Sequence, residues 1–376
     1  PRRTALLDAA SGAAGIVIGT HALLEERVKF ADLGLVVVDE QHRFGVEQRD
    51  ALRAKAGDRR PHVLVMTATP IPRTVAMTVF GDLEVSTLAQ LPSGRSPIST
   101  HVVPAVERPR YLERTWERIR EEVALGRQAY VVCPRIGDAE GDEGDLPAPA
   151  LDGAAGQDAG EDGEAEAERP ARRPPLAVLD VAPMLAEGPL TGLRIGVLHG
   201  RLAPEEKDAV MNAFTRGEID VLVATTVIEV GVNVPNATVM VIMDADRFGV
   251  SQLHQLRGRV GRGKLPGLCL LVTEAPAGTA ARARLDAVAA TTDGFELSRI
   301  DLEQRREGDV LGAAQSGRKS SLRLLQLLRD EHVIQAARKE AAALLEEDPE
   351  LARHPALRAE IEALVADERA EYLEKT

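Results

Sequence analysis

Cysteine is almost missing from this chain. Cys133 and Cys269 are the two in 376 residues, and they stand far apart. Such usage excludes the disulfide framework of a small secreted scaffold and points to a reducing cytoplasm. Aromatic residues are also scarce, at 3%. No apolar run reaches the roughly 20 residues of a membrane span, and the amino-terminal residues do not read as a signal peptide. The acidic balance of −13 is misleading. Residues 138–168 carry 12 Asp and Glu and no Lys or Arg, so the rest of the chain is close to neutral. Acidity is therefore no argument against a nucleic-acid partner.

What the sequence does contain is a series of apolar strands that end in polar residues. Leu33–Val38 is an unbroken apolar run, as expected of a strand buried on both faces of a parallel sheet, and it runs into Asp39-Glu40-Gln41-His42. Carboxylates at the carboxyl end of such a strand stand where α/β sheets place ligands, and their oxygens suit Mg²⁺. A solvated Asp-Glu turn would read the same way. Residues 1–14 look helical, and Ile16–Ile18 reads as a short buried strand before Gly19-Thr20-His21. Val63–Met66 precedes Thr67-Ala68-Thr69-Pro70. Strands alternating with helical stretches predict a parallel α/β sheet.

Punctuation around Leu91–Arg95 suggests a boundary. A second α/β unit follows, with strands expected at Ala129–Cys133, Leu193–Leu198, Val221–Ala224, Val239–Met243 and Leu268–Val272. Residues 138–175, rich in Asp, Glu, Gly, Ala and Pro, cannot bury enough apolar surface to order themselves and predict a disordered insertion. From 276 onward the chain turns helical and charged. The organisation expected is 1–93, 94–275 with its insertion, and 276–376.

Two more segments can carry chemistry. Gln252 through Arg262 sets three arginines and two glycines after an apolar strand and loop. Arginines on a rigid element suit the charge that develops on a transferring phosphoryl group. A basic surface helix gripping nucleic-acid phosphates would look similar. Ala224-Thr225-Thr226 and the residues through Pro235 also leave a strand, and hydroxyls with backbone amides there can hold phosphates. A plain helix cap and turn fits that stretch too, and equally the Thr67–Pro72 turn.

The order of these segments resembles the superfamily 2 helicases. Residues 39–42 look like motif II, 67–69 like motif III, 224–235 like motif V, 252–262 like motif VI, and Gly19-Thr20-His21 like motif Ib. Ile18–Leu23, Asp39–Gln48, Thr67–Arg73, His199-Gly200-Arg201 and Leu302–Gly317 narrow the likeness to the bacterial RecG-type ATP-dependent DNA helicases. The last stretch is similar to that family's translocation motif. Transcription-repair coupling factor shares it, but more usually carries Glu where Gln41 stands here.

The resemblance implies tandem RecA-like lobes, the first incomplete, then a helical carboxyl-terminal region. It implies ATP and Mg²⁺ as cofactors. Asp39 would ligate the metal and Glu40 would act as general base. Gln41 and His42 would couple the nucleotide to motifs III and VI. Arg259 and Arg262 would reach the γ-phosphate, with Gln255 holding that geometry and Gly231 beside the nucleotide. Thr20, His21, Thr67, Thr69, Thr225 and Thr226 would face the nucleic-acid backbone or link it to the nucleotide site, and Arg305 and Gln315 would relay closure to duplex DNA. The implied partners are branched duplex DNA and single-stranded-DNA-binding protein, for a cytoplasmic monomer acting on stalled forks and Holliday junctions in recombination and repair.

Three departures qualify the likeness. Asn233 stands where the family often has Asp, and Arg306-Glu307 replaces a Gly and a small residue. The third is the phosphate cradle G-x-x-x-x-G-K-[ST]. Gly258–Lys264 fits it until Leu265, and Gly312–Gly317 is followed by Arg318 before Lys319. Neither follows a suitable strand. This chain alone is thus expected to hydrolyse ATP negligibly. A non-catalytic DNA-binding module and the motor of a coupling factor are the alternatives.

Overall fold

The computed structural model describes residues 2–25, 27–39, 61–67, 86, 88, 96–137, 174–229, 234–304 and 331–363. Glu40, Gln41, His42, Thr69, Gly231, Arg305, Gln315 and nearly all of the acidic insertion lie outside the described residues, as does the side chain of His21. The described residues fall into two compact units, the larger running as far as residue 304 and the smaller holding 331–363.

The larger unit opens with α1 (Arg2–Ser11) and a 3-10 turn at His21–Leu24. β1 (Leu35–Val38) and β2 (His62–Val65) pair in parallel, with Val36 opposite Val63 and Val38 opposite Val65. Two expectations fail here. Ile16–Ile18 forms no strand, and Ile16 and Ile18 are exposed. Three apolar residues suffice for a strand only where a neighbouring strand takes their backbone groups. β1 is buried on one face alone. Val36 and Val38 pack with Leu24, Leu33, Val63 and Val65, while Leu35 and Val37 face outward.

The rest of the unit is a six-stranded sheet. Its elements in chain order are β3 (Ile98–Pro104), α2 (Pro109–Ala124), β4 (Gln128–Val132), α3 (Val178–Glu187), β5 (Ile195–Leu198), α4 (Pro204–Thr215), β6 (Val221–Ala224), β7 (Ala237–Ile242), α5 (Val250–Arg257), β8 (Gly267–Thr273), α6 (Ala280–Ala290) and α7 (Gly294–Gln304). The spatial order is β3-β8-β7-β4-β6-β5, with every neighbouring pair parallel. The alternating α/β pattern expected of the sequence is thereby realised, and four of the five strands expected in this unit overlap the observed ones closely; β5 begins two residues late. β3 was not expected, because Ser99, Thr100 and His101 interrupt its apolar character. It is an edge strand, and on its Ser99 and His101 side only Val103 is buried, so polar residues are tolerated there.

Successive strand residues point to opposite faces. On one face Tyr130, Val132, Leu222, Ala224, Met240, Ile242 and Leu271 meet Phe214 of α4, Leu253 and Leu256 of α5, and Leu285 and Val288 of α6. On the other, Val131, Val223, Val239, Val241, Leu270 and Val272 meet Trp116 and Ile119 of α2 and Val178, Val181 and Leu185 of α3. Helix positions follow from the same demand. Pro109 starts α2, where its missing N–H costs nothing, and Leu112, Trp116, Ile119 and Val123 recur at helical spacing on the buried side.

Glu122 is the buried carboxylate of α2, at 2% exposure. Burial works against its charge. Hydrogen bonds from Arg127 (2.7 Å) and Thr238 (2.7 Å), with the charges of Arg118 and Arg127, outweigh that and hold it below its ordinary value. The smaller unit contains α8 (Glu331–Glu347) and a helical run over 355–363. Asp348 joins them, its carboxylate accepting from the amides of Ala352 and Arg353. No helix among the described residues is long and apolar enough to cross a membrane.

Two stability measurements follow. Ile119→Ala, at a fully buried site, is expected to cost about 2–5 kcal/mol in urea unfolding, against under about 0.5 kcal/mol for Leu35→Ala at an exposed one. Equal costs would contradict the two-sided burial described above. A carboxylate whose folded value is depressed stabilises above its unfolded value and loses that contribution as pH falls through the folded one. Unfolding midpoints compared between the parent and Glu122→Gln should therefore differ above pH 4.5 and converge on acidification below it.

Candidate nucleotide and nucleic-acid site

Parallel strands deliver their carboxyl ends to one rim of the sheet, and the polar residues of this chain gather there. β1 ends at Asp39 and β2 leads to Thr67. Because Val38 lies opposite Val65 and the amide of Met66 donates to the Val38 carbonyl (2.8 Å), Asp39 and Thr67 leave adjacent strands side by side. Asp39 is exposed and Thr67 half-buried. An exposed carboxylate at a strand end supplies the kind of oxygen that Mg²⁺ takes while keeping several waters, so Asp39 fits one ligand position of such a metal. Thr20 is exposed, and its hydroxyl accepts from the amide of Ala22 (3.5 Å), as the cap of the short turn that follows.

In the six-stranded sheet, β5 and β6 are neighbours. The amide of Thr225 donates to the Leu198 carbonyl (3.2 Å), which brings the Thr225-Thr226 turn against His199-Gly200-Arg201. Lys207, on α4, donates to the carbonyl of Gly200 (2.6 Å) and braces that loop. Beyond β6 lies β4, whose end carries Cys133, Pro134 and Arg135. Thr225 is buried and Thr226 half-buried, starting a 3-10 turn through Glu229 that packs against α5.

α5 carries Gln252, Leu253, Gln255 and Leu256, and its end delivers Arg259 and Arg262. Leu253 and Leu256 are fully buried, which fixes the rotation of the helix, and leaves Gln255 half-buried. Arg259 is half-buried and Arg262 exposed, its Nε donating to the Gly258 carbonyl (2.8 Å). The charges of both guanidiniums bear on the phenol of Tyr130 on β4. Burial pushes Tyr130 up to about 12, and the two arginines pull the other way. The two arginines thus follow α5 on one short loop, and both charges reach β4, inside the sheet.

The loop that holds them depends on its glycines. Gly261 has φ +67°, and a Cβ there would lie 2.8 Å from a side-chain carbon of Ile98. At Gly263 a Cβ would meet the Pro235 carbonyl at 2.8 Å. Ser96 Oγ donates to the carbonyl of Gly263 (3.2 Å), tying the approach to β3 onto this loop. Two residues that sequence reading passed over thus shape the site: Ser96 and Lys207. Nothing in their spacing announces them, since each acts by reaching a backbone carbonyl, seven residues back for Lys207 and 167 residues on for Ser96. The expected residues form two groups. Asp39 and Thr67 lie together on the two-stranded sheet, and Thr225, Thr226, Gln255, Arg259 and Arg262 lie together on the six-stranded one.

Comparison with known proteins places this geometry. Residues 2–78 match the DEAD/DEAH box helicase family, 177–264 the helicase conserved C-terminal domain, and 291–361 the family described as ATP-dependent DNA helicase RecG, domain 3, C-terminal. The ATP-dependent DNA helicase RecG of Mycobacterium tuberculosis is 53% identical over 370 residues, covering 98% of this chain and 46% of that protein. The Bacillus subtilis protein of the same name is 44% identical over 348 residues, covering 92% of this chain and 45% of its own length. The chain spans about half the length of these curated relatives. A solved structure of RecG bound to a three-way DNA junction superposes with a TM-score of 0.59 at 34% identity, covering 89% of this chain and 38% of that one. The chain belongs to the RecG-type helicases of superfamily 2 and corresponds to the carboxyl-terminal part of those proteins.

Proposed function

We propose that this chain supplies the second half of an ATP-driven translocase that remodels branched duplex DNA. The observation that carries the proposal is the placement of Arg259 and Arg262 on the short loop that ends α5, the helix on which the Thr225-Thr226 turn also packs. Cations held on one firm loop suit phosphoryl transfer, because the transition state spreads charge over oxygens and asks for positioning rather than covalent help. ATP with Mg²⁺ supplies the transferable phosphoryl group and neutralises its charge. Asp39 would give the metal one carboxylate oxygen, and Glu40, next in sequence, would take the proton of the attacking water. Arg259 and Arg262 would face the γ-phosphate, contributions worth about 10³–10⁵ in rate in comparable systems. Gln255 would steady them. Gln41 and His42 would link the nucleotide to motifs III and VI, with Gly231 beside it.

The rim formed by His199-Gly200-Arg201 and Thr225-Thr226 supports a nucleic-acid track, since hydroxyls, amides and a guanidinium at strand ends all bind phosphate. Thr20, His21, Thr67 and Thr69 would extend the track on the other sheet, and Arg305 and Gln315 would pass movement to the duplex. The solved relative bound to a three-way junction favours branched DNA as the substrate. The match of residues 291–361 to RecG domain 3 favours this reading over the motor of a transcription-repair coupling factor. Retention of RNA polymerase on the immobilised chain would reverse that preference.

Two measurements test the proposal. Residues 1–376 contain no G-x-x-x-x-G-K-[ST] run, so purified chain should show no DNA-stimulated ATP hydrolysis above background. Robust turnover that Glu40→Gln abolishes would overturn the assignment of a missing cradle. Binding to forked DNA should weaken steeply between 50 and 200 mM salt, as phosphate contacts require, and Arg305→Ala should lower the slope of log K against log salt by about one. Affinity indifferent to both would remove the basis for a DNA track.

A further inference from the structure

Arg257, the last residue of α5, is 2% exposed. A buried guanidinium ordinarily finds a carboxylate. Among the described residues, this one is held by carbonyls and an imidazole. Nη1 donates to the carbonyls of Val288 (2.7 Å) and Thr291 (2.8 Å), and Nη2 lies 2.8 Å from His254 Nδ1. A guanidinium cannot accept, so His254 Nδ1 carries a lone pair there and the neutral ring keeps its proton on Nε2. Val288 lies in the last turn of α6, and Thr291 is the residue that ends it. The cation therefore sits at the negative end of the α6 dipole, which takes the place of a carboxylate.

The contact falls on a corner. α6 and α7 are joined through Thr291–Asp293. There the Thr291 hydroxyl accepts from the Asp293 amide (3.1 Å), and Asp293 Oδ1 accepts from the amide of Phe295 (2.8 Å) to start α7. Leu256, Leu285, Val288 and Leu297 share one apolar cluster, so α5, α6 and α7 already touch. Apolar contact is non-directional and permits sliding; a planar fork with two fixed acceptors does not. Arg259 follows two residues after the fork, and Arg262 closes back on Gly258.

We propose that Arg257 is a positioning residue for the arginine pair: its fork fastens the carboxyl end of α5 to the α6–α7 corner, and Arg259 and Arg262 keep their places only while that fastening holds. The mechanical part stands on the contacts alone; its catalytic consequence rests on the reading of Arg259 and Arg262 as phosphate-facing. α7 runs directly into Leu302–Gly317, so the fastening also connects the arginine loop to the segment resembling the translocation motif.

The test has two arms. In the 376-residue chain, Arg257→Gln should raise amide hydrogen exchange by about tenfold at residues 258–262 and 291–297, with β4 and β7 unchanged. A rise spread evenly over the whole sheet, or none, would overturn the proposal. ATP turnover is then read on a full-length RecG-type helicase in which residues 1–376 replace the corresponding carboxyl-terminal part. There Arg257→Gln should lower kcat by about 10- to 100-fold with KM for ATP nearly constant. Arg257→Lys, which keeps the cation at the helix end but not the fork, should recover part of the loss. An unchanged kcat, or no recovery with Lys, would overturn the positioning role. If Gln prevents folding, Lys replaces it in both arms, and its effect must then be confined to the same two segments. Absence of turnover in the unsubstituted protein would count against the nucleotide reading, while the exchange arm would still decide the fastening.

Discussion

A parallel sheet can be covered only on its faces, and covering both faces leaves its rim as the one place for chemistry. Every residue of β4 and β6 is buried, so neither strand can present a functional group along its length. Polar side chains are pushed to the ends, where the chain turns and water or ligand can reach them. The arrangement of His199-Gly200-Arg201, Thr225-Thr226 and Arg135 on consecutive strand ends is a consequence of that burial. β1 and β2 show the converse: with one face covered, Leu35, Val37 and Leu64 are left exposed.

The arginine loop is held by a different kind of constraint. Its core contacts set only the rotation of α5, and position is added by backbone. Gly261 must be glycine twice over, for its positive φ and for the side chain of Ile98. Pro235 comes so close at Gly263 that a side chain there would strike its carbonyl, and Ser96 bonds the same residue. The loop is therefore gripped by the approaches to β3 and β7 as well as by its own helix.

Much of this was legible in the sequence. β4, β6, β7 and β8 are short, mostly apolar runs rich in Val, Leu and Ala, as strands buried on both faces must be. Asp39 and Thr67 were legible as strand ends because apolar runs stop abruptly before them. β3 was not, because an edge strand tolerates Ser, Thr and His, which blur the pattern. Ile16–Ile18 misled for the opposite reason: its composition is right, but strands are made by partners, and composition carries no record of them. Arg257 was counted among three similar arginines in one short segment. Its separate role depends on Val288 and Thr291, more than 30 residues on, and only the packing of α6 against α5 brings them into reach.

The acidic insertion leaves and rejoins the sheet at one spot. Arg135 and Ala177 form a parallel bridge, the amide of Val178 donates to the Arg135 carbonyl (2.9 Å), and the amide of Leu176 donates to Asp244 (2.8 Å). The two stems are thus stitched together before the insertion begins. Across ends already brought together, the entropy of closing a loop grows only with the logarithm of its length, about 0.6 kcal/mol for each doubling. Descent can therefore lengthen, shorten or recharge what lies between the stems at almost no thermodynamic cost to the sheet. That makes this corner of the fold a natural point of divergence between otherwise similar sheets.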